Sequence, residues 1–164
     1  MPRISLQNCT LTFKDGTPTT PLSYPYKVGD GTVSWSEKRP LEYMKNRGKL
    51  DSVRLADEEP MDVKLDAVFE FIKSRTGENG SAVDCVKRTG LCASWVSVDS
   101  DTCNPYAVNI EIFHQPVCTS SWSETITLPS FRYENIDFDP KTAMISITGK
   151  CNVTGATVIR TTQT

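Results

Sequence analysis

The chain has 164 residues, the size of one domain, and is long enough to bury a hydrophobic core without disulfides. Its 18 basic and 20 acidic residues nearly balance, so the basic stripe expected of a nucleic-acid-binding protein is missing. No apolar run approaches the roughly 18 residues of a transmembrane helix. The start, Met1–Ser5, lacks the apolar stretch of a secretory signal, so we expect synthesis in the cytosol and no membrane-spanning helix.

The first third of the chain alternates in the manner of strands. Ile4–Lys14 predicts a strand with a bulge near its middle, closed by the turn Asp15-Gly16. Residues 16–31 contain several prolines and glycines and predict a loop. Thr32–Glu37 then predicts a short strand.

Residues 38–60 form a polar segment that is basic in its first half and acidic at its end. Few of its residues resemble core residues. Two interpretations stay open: a solvated hairpin or arm, or an arm that docks on a neighbouring copy. We therefore predict one domain over residues 1–164 with a long polar arm or hairpin at about 38–60.

Met61–Ile72 carries the clearest pattern in the sequence. Met61, Val63 and Leu65 begin an apolar face that alternates with polar residues, and this period of two continues for twelve residues. A typical strand has about five or six residues, so this strand is long. We interpret it as a strand that joins a larger sheet shared between copies.

The second half predicts one helix and then several strands. Ser81 is placed to cap a helix over Ala82–Arg88, and Gly90 is placed to end it. Short alternating segments separated by turn residues favour antiparallel sheets in a sandwich or barrel. These segments are Trp95–Val98, Tyr106–Ile112, Thr125–Leu128, Phe131–Phe138, Ala143–Cys151 and Thr157–Thr161.

No set of residues fits a catalytic pattern. The only histidine, His114, ends a predicted strand, and no Gly-x-Ser-x-Gly elbow accompanies it. Gly29 and Gly31 lack the third glycine of a dinucleotide site. We predict no catalytic residue and no enzymatic activity.

Six cysteines leave three states open: buried thiols, disulfides formed outside a reducing cell, or ligands of a metal or iron–sulfur cluster. No Cys-x-x-Cys pair is present, so the spacing does not fit an ordinary zinc ribbon. We expect no cofactor, apart from that metal alternative. The candidates for disulfide or metal binding are Cys85, Cys92, Cys103, Cys118 and Cys151.

One stretch resembles a known family. It runs from Gly48–Arg54 through Asp57–Pro60 into Met61–Val63, and it resembles the tail tube proteins of long-tailed bacteriophages. In that family a polar loop or hairpin leads through an acidic corner into a long alternating strand. The single mid-chain helix, the strand-rich second half and the closing Ser146–Thr154 agree. The resemblance covers the chain from about Trp35 and rests on the order of its elements.

The resemblance implies a mainly β fold, a β-sandwich or barrel with one short flanking α-helix. It implies six copies in a ring, long strands that close a barrel around a channel, and stacked rings through which DNA is ejected. A negative lining would let DNA pass without specific binding. The lumen-lining candidates are Asp62, Asp66 and Glu70. The implied inter-ring contacts, which favour register over affinity, are Lys45, Arg47, Lys49, Asp57, Glu58 and Glu59.

The implied partners are copies of the same chain and other tail proteins: a tape measure protein, a tail terminator, baseplate or tip proteins, and a sheath in a contractile tail. The implied location is the virion tail, after assembly in the host cytoplasm. Two alternatives remain. One is a ring or tube protein of a related contractile injection or secretion system, and the other is an extracellular, disulfide-stapled β-sandwich that binds carbohydrate or protein.

Overall fold

The computed structural model describes residues 9–26, 32–68, 81–114 and 122–162. Within them the chain has ten strands and one α-helix, with a short 3₁₀ turn at Gly90–Cys92. The elements are β1 (Cys9–Lys14), β2 (Ser23–Tyr26), β3 (Thr32–Ser36), β4 (Leu41–Asn46), β5 (Lys49–Leu55), β6 (Met61–Val68), α1 (Ala82–Lys87), β7 (Val108–His114), β8 (Trp122–Asp139), β9 (Met144–Cys151) and β10 (Thr157–Thr162).

Eight strands form one antiparallel sheet, in the order β2-β1-β7-β8-β9-β6-β3, with β10 also paired to β8. The strand β8 has 18 residues and lies in the middle of this order, where it belongs to both halves of the sheet. Its first half pairs with β7 and β10, and its second half pairs with β9. The remaining strands, β4 and β5, pair with each other as a separate hairpin.

The sheet bends where β8 passes Pro129 and Ser130. The register with β7 shifts there, and Ser130 has a left-handed backbone with φ of 54°. The Asn109 side chain holds the bend, because its amide oxygen accepts a 3.0 Å hydrogen bond from the Ser130 N–H. This bend brings the two halves of the sheet face to face, as in a β-sandwich.

One hydrophobic core fills the space between the two halves. Phe13 and Ile110 from one half, and Leu65 and Ile147 from the other, belong to the same buried cluster. Trp95, only 1% exposed, joins it from the segment after α1. Burial of such side chains stabilises the fold by roughly 1.5–3 kcal/mol each.

The helix α1 covers one side of this core. Ser81 caps it by accepting a 3.2 Å hydrogen bond from the Asp84 N–H, and Arg88 ends it in a left-handed conformation with φ of 57°. Val83, Cys85 and Val86 point inward and are buried. No helix in the described part of the chain is long and apolar enough to cross a membrane.

The predicted mainly β fold with one short helix is confirmed, and so are the strands at residues 32–36 and 144–151. The loop prediction for residues 16–31 was wrong at β2. Pro25 is tolerated there because β2 is an edge strand, and its tyrosines reach the core, with Tyr24 stacked on Trp95 at a ring distance of 5.4 Å.

Two other strand predictions were wrong. Trp95–Val98 is not a strand, because its backbone bonds go singly to three different segments: Trp95 N–H to Cys92, Val98 N–H to Ala107, and the Val96 carbonyl to Gly16. The segments Thr125–Leu128 and Phe131–Phe138, predicted as two separate strands, belong to the single strand β8. Pro129 lies between the β-ladder partners of β8, so its missing N–H removes no ladder hydrogen bond.

Candidate assembly surface

Four strands form a subsheet whose two outer edges are open. The second half of β8, followed by β9, β6 and β3, pairs antiparallel throughout. Within the described residues, β3 has no partner beyond β6, and residues 133–139 of β8 have none beyond β9. Open backbone donors and acceptors on two edges are a template for pairing with further strands. We call these four strands the open-edged sheet.

The strand β6 shows why this sheet has two different faces. Met61, Val63 and Leu65 are at most 2% exposed and point into the core. Asp62 and Lys64 alternate with them and point away from the core. The predicted strand is therefore present over Met61–Val68, with the predicted alternation in burial at Met61–Leu65, and its predicted continuation to Ile72 lies outside the described residues.

Cross-strand pairing extends the outward face over all four strands. Asp62 pairs with Ser36 and Lys150, and Asp66 pairs with Thr32 and Ser146. The same register adds Asp137 and Asp139 from β8. We call this surface the polar face. Its pairing partners are Thr32, Ser34, Ser36, Asp62, Lys64, Asp66, Arg132, Asn135, Asp137, Asp139, Met144, Ser146, Thr148 and Lys150.

The polar face carries more acidic than basic groups. A shallow groove of about 430 Å³ on it is bordered by Ser34, Asp62 and Thr148, and also by Glu134. Among the strand and groove residues the face has three basic side chains and five acidic ones, a difference of two negative charges per copy. Lys38, which pairs with Asp62 from outside these strands, reduces the excess to one. The basic side chains are Lys64, Arg132 and Lys150, and the acidic ones are Asp62, Asp66, Glu134, Asp137 and Asp139.

The two described lumen-lining candidates, Asp62 and Asp66, both lie on this face, but each has a basic neighbour. Lys38 Nζ lies 2.8 Å from Asp62, and its hydrogen bond holds the pKa of that carboxyl below its usual range. Lys64 Nζ lies 3.9 Å from Asp66. The face is thus a mosaic with an acidic excess. The third candidate, Glu70, lies outside the described residues.

A glycine allows the close approach of β8 and β9 in this sheet. The register of the two strands shifts between Tyr133 and Asn135. Opposite this shift, a Cβ atom on Gly149 would lie 2.0 Å from the Arg132 carbonyl oxygen and 2.8 Å from Tyr133 Cα. Only a residue without a side chain fits against that backbone.

The segment between β3 and β6 forms a hairpin that projects from the open-edged sheet. Strands β4 and β5 meet at a two-residue turn, Arg47-Gly48, in which both residues have positive φ, 50° and 81°. This is the geometry that suits the twist of a hairpin. All residues of both strands are exposed.

The hairpin places the predicted inter-ring residues at two separate ends. The basic Lys45, Arg47 and Lys49 lie at its tip, and all are exposed. The acidic stretch Asp57–Glu59 follows β5 at its base, where Glu59 lies 3.6 Å from Lys38. The structure thus gives the hairpin a basic tip and an acidic base.

One face of the hairpin is apolar and exposed. The sequence did not predict this face, because the charged residues of the segment dominate its pattern. Leu41 pairs with Leu55 and Tyr43 pairs with Val53, which puts all four side chains on one face. Their exposed fractions are 40%, 64%, 61% and 55% in that order. The opposite face carries the ion pair of Glu42 and Arg54, 2.6 Å apart. We call these four apolar residues the hairpin face.

The predicted cysteine ligands do not come together as one set. Cys85 and Cys92 touch, with their sulfurs 3.3 Å apart. Cys151 is buried between β6 and β8, and burial raises its thiol pKa to about 12. Cys103 is exposed in the loop before β7, and Cys118 lies outside the described residues. Among the described residues, no group of three or more His, Cys, Asp or Glu side chains is arranged to hold a metal ion.

Two polar anchors were missed by sequence reasoning. Asp15 is 2% exposed, and its carboxylate accepts hydrogen bonds from Leu22 N (2.7 Å), Val96 N (3.2 Å), and both the backbone N–H and hydroxyl of Thr17. Arg132 donates to Asp99 at 2.7 Å. The sequence indicated a turn at Asp15-Gly16 but not the bonds that Asp15 makes. The partners Asp15 and Val96 are 81 positions apart, and Arg132 and Asp99 are 33 apart, so neither contact leaves a local pattern in the sequence.

Comparison with known proteins gives a likeness in fold. A chain in the six-fold symmetrised cryo-EM structure of the anti-feeding prophage baseplate superimposes with a TM-score of 0.50, at 13% identity, over 97% of this chain and 96% of that chain. No known family profile matches the sequence, and no curated protein matches it. At this identity the likeness concerns the fold, which the two chains share over nearly their full lengths.

Proposed function

We propose that this chain is a structural subunit of a phage tail, or of a phage-tail-like particle, and that six copies close into a ring and stack as a tube. The observation that carries the proposal is the open-edged sheet. Its edges, β3 and residues 133–139 of β8, are long enough to pair with neighbours. Closure into a barrel removes such edges, which otherwise invite aggregation.

The direction of the strands suits closure by rotation. In the order β8-β9-β6-β3 each strand runs opposite to the next, so β3 runs opposite to β8. A rotation about an axis along the strands keeps their directions. It therefore sets β3 of one copy beside β8 of the next as an antiparallel pair, which can continue the ladder.

The two faces of the sheet then have different surroundings. The apolar face packs on the core of its own copy, and the polar face lines the channel. The acidic excess on that face repels DNA phosphates, and its three basic groups keep the repulsion modest. A wall of this kind supports passage of DNA without specific binding, because tight binding requires a basic lining.

The hairpin supplies the contact between rings in this proposal. A two-stranded hairpin with an uncovered apolar face is marginally stable alone. Docking on the next ring would bury Leu41, Tyr43, Val53 and Leu55, while the basic tip sets the register. We therefore propose an apolar docking contact beside the charged contacts that the resemblance implies.

The fold neighbour favours a second form of the same proposal. It belongs to a baseplate structure averaged with six-fold symmetry, and that structure is of an anti-feeding prophage. A ring in a contractile injection system would use the same sheet closure and the same hairpin. In either form we propose a non-enzymatic role, with tail or baseplate proteins as partners and a location in the particle.

Cross-linking across the sheet edges tests the proposal. Ser34→Cys on β3 and Asp137→Cys on β8 place thiols on the polar face of the two edge strands. With a short bis-maleimide, we expect covalent ladders that end at six copies, and rings by negative-stain electron microscopy. The Cys103→Ser background removes the exposed native thiol of the described chain.

A matched control pairs Asp137→Cys with Thr10→Cys. Thr10 is exposed but lies on β1, which already has partners on both sides. This variant should give no ladder beyond background. A protein that stays monomeric at high concentration, or ladders that are equal in both variants, would contradict the proposed ring.

A further inference from the structure

Two cysteines of the core are in contact. The sulfurs of Cys85 and Cys92 lie 3.3 Å apart, and both side chains are 0% exposed. A disulfide has an S–S bond of about 2.05 Å, so the two sulfurs need to move together by roughly 1.3 Å. The pair is separated by only seven positions in the chain, on α1 and on the 3₁₀ turn that follows it.

Two left-handed residues bring these cysteines together. Arg88, with φ of 57°, ends α1, and Gly90, with φ of 58°, turns the chain back. The turn is held by backbone bonds from Thr89 N–H to the Asp84 carbonyl (3.2 Å) and from Cys92 N–H to the Thr89 carbonyl (3.0 Å). The contact between the thiols therefore follows from the way the helix ends.

Two tyrosines fix the position of Cys85. The Tyr26 hydroxyl lies 3.3 Å from its sulfur, and the Tyr106 hydroxyl donates a 3.1 Å hydrogen bond to its carbonyl oxygen. Both tyrosines come from outside the helical segment, from β2 and from the stretch before β7. The position of Cys85 is thus set by tertiary contacts as well as by the local turn.

We propose that Cys85 and Cys92 are a redox-sensitive dithiol that closes to a disulfide when the protein leaves a reducing environment. The oxidant is a low-molecular-weight disulfide. One cysteine thiolate attacks it, its S–S bond breaks, and a mixed disulfide forms as one small thiolate leaves with the proton. The second cysteine then attacks the protein sulfur of the mixed disulfide and releases the second small thiol. Two protein thiols are oxidised and one small disulfide is reduced to two thiols.

Burial makes this closure a gated step. Desolvation raises the pKa of the Cys85 thiol, so little thiolate exists while the segment stays packed. Attack on an external disulfide requires local opening of residues 81–92. In a reducing cytosol the pair stays as thiols. Outside the cell, rare openings lead to a product that the packed core then retains. This inference does not rest on the proposed function.

Thiol counting on the full-length protein tests the inference. Reduced protein is incubated with oxidised glutathione, alkylated and analysed by intact mass. We expect loss of two of the six thiols and a mass lower by two hydrogens before alkylation. Trypsin cuts after Lys87 and Arg88, between the two cysteines, so the disulfide should join two peptides that separate on reduction. Urea below the unfolding transition should speed the loss at least tenfold, because it favours local opening.

Matched variants assign the link. Cys92→Ser should keep all its remaining thiols, and Cys118→Ser should still lose two. Because Cys92→Ser removes a buried group, the double variant Cys103→Ser, Cys118→Ser provides a second readout: Cys92 is then the only cysteine in its tryptic peptide. Six thiols retained by the wild type, a link to another cysteine, or a rate unchanged by urea would overturn the gated dithiol.

Discussion

Lys38 Nζ lies 2.8 Å from a carboxylate oxygen of Asp62, which ties the start of the hairpin segment to the polar face of β6. The same ammonium lies 3.6 Å from Glu59 on the returning side of the segment. Both members of the short pair are 40% exposed, so solvent screens their attraction. The ion pair therefore adds little to stability, and its role is to fix the point where the hairpin leaves the sheet.

The first prediction concerns the titration of Asp62. Its pKa is lowered first by the hydrogen bond from Lys38, so its NMR titration midpoint should lie below the ordinary value of about 3.9. A lowered folded-state pKa stabilises the protein above about pH 3.9, and this contribution is lost as pH falls through the folded-state midpoint. Lys38→Met should raise the midpoint. Lys150→Met, which removes an ammonium 3.9 Å away, should raise it less. An unchanged midpoint in Lys38→Met would show that the pair is absent in solution.

Gly149→Ala should destabilise the protein by about 3 kcal/mol, because its methyl group would collide with the backbone of Arg132 and Tyr133. The free energy of unfolding in urea measures the effect. Gly155→Ala is the matched control: the three atoms nearest its Cβ belong to the end of the Glu37 side chain, at 3.2–3.3 Å. That side chain can shift at the expense of its 2.9 Å hydrogen bond from the Ala156 N–H, so the change should stay within about 1 kcal/mol. Equal losses in the two variants would argue against the close approach of β8 and β9.

Asp15→Asn should cost about 2–3 kcal/mol, because Leu22 N–H and Val96 N–H bond to different oxygens of the carboxylate, and the amide leaves its NH2 group facing one of the two. Thermal and urea unfolding would both report the loss. Asp57→Asn, an exposed position at the hairpin base, removes a charge without disturbing a buried network and should change stability by less than about 0.5 kcal/mol. A neutral Asp15→Asn variant would mean that the carboxylate is not the acceptor of those bonds.

The hairpin face should matter for stacking and not for folding. Tyr43→Ser combined with Val53→Ser changes exposed side chains, so the free energy of unfolding of one copy should change by less than about 0.5 kcal/mol. Electron microscopy should then show single rings in place of tubes. Glu42→Gln with Arg54→Gln, on the opposite face of the hairpin, is the matched control and should still form tubes. Tubes of normal length from the serine variant would exclude this face as the ring-to-ring contact.

Periodic elements were predictable from the sequence, because their signal is local. The alternation from Met61 and the capped helix at Ser81 follow directly from burial on one face and from an unsatisfied helix N-terminus. The edge strand β2 was not predictable, because Pro25 is typical of a loop. It is compatible with a strand only at the edge of a sheet, and the sequence does not show that β2 lies there. The bend at Ser130 depends on Asn109, 21 residues earlier, and has no local signature.

The candidate assembly surface was predicted only in outline. Alternation placed Asp62 and Asp66 on one face. The ion pair of Asp62 with Lys38 and the alignment of Asp66 with Asp137, on opposite sides of Ser146 in β9, depend on register between distant segments. The charge run of residues 38–60 concealed the hairpin face, because a face is set by cross-strand pairing, as in Tyr43 and Val53. The contact of Cys85 with Cys92 required the two left-handed residues between them.

The strand β8 also determines how the molecule comes apart. It supplies ladder partners to β7 and β10 in its first half and to β9 in its second half. Neither half of the sandwich therefore has a complete set of strands of its own. Loss of β8 from one half also removes its backbone from the other half. Unfolding should therefore be a single cooperative event, with coincident transitions in tryptophan fluorescence and far-ultraviolet circular dichroism.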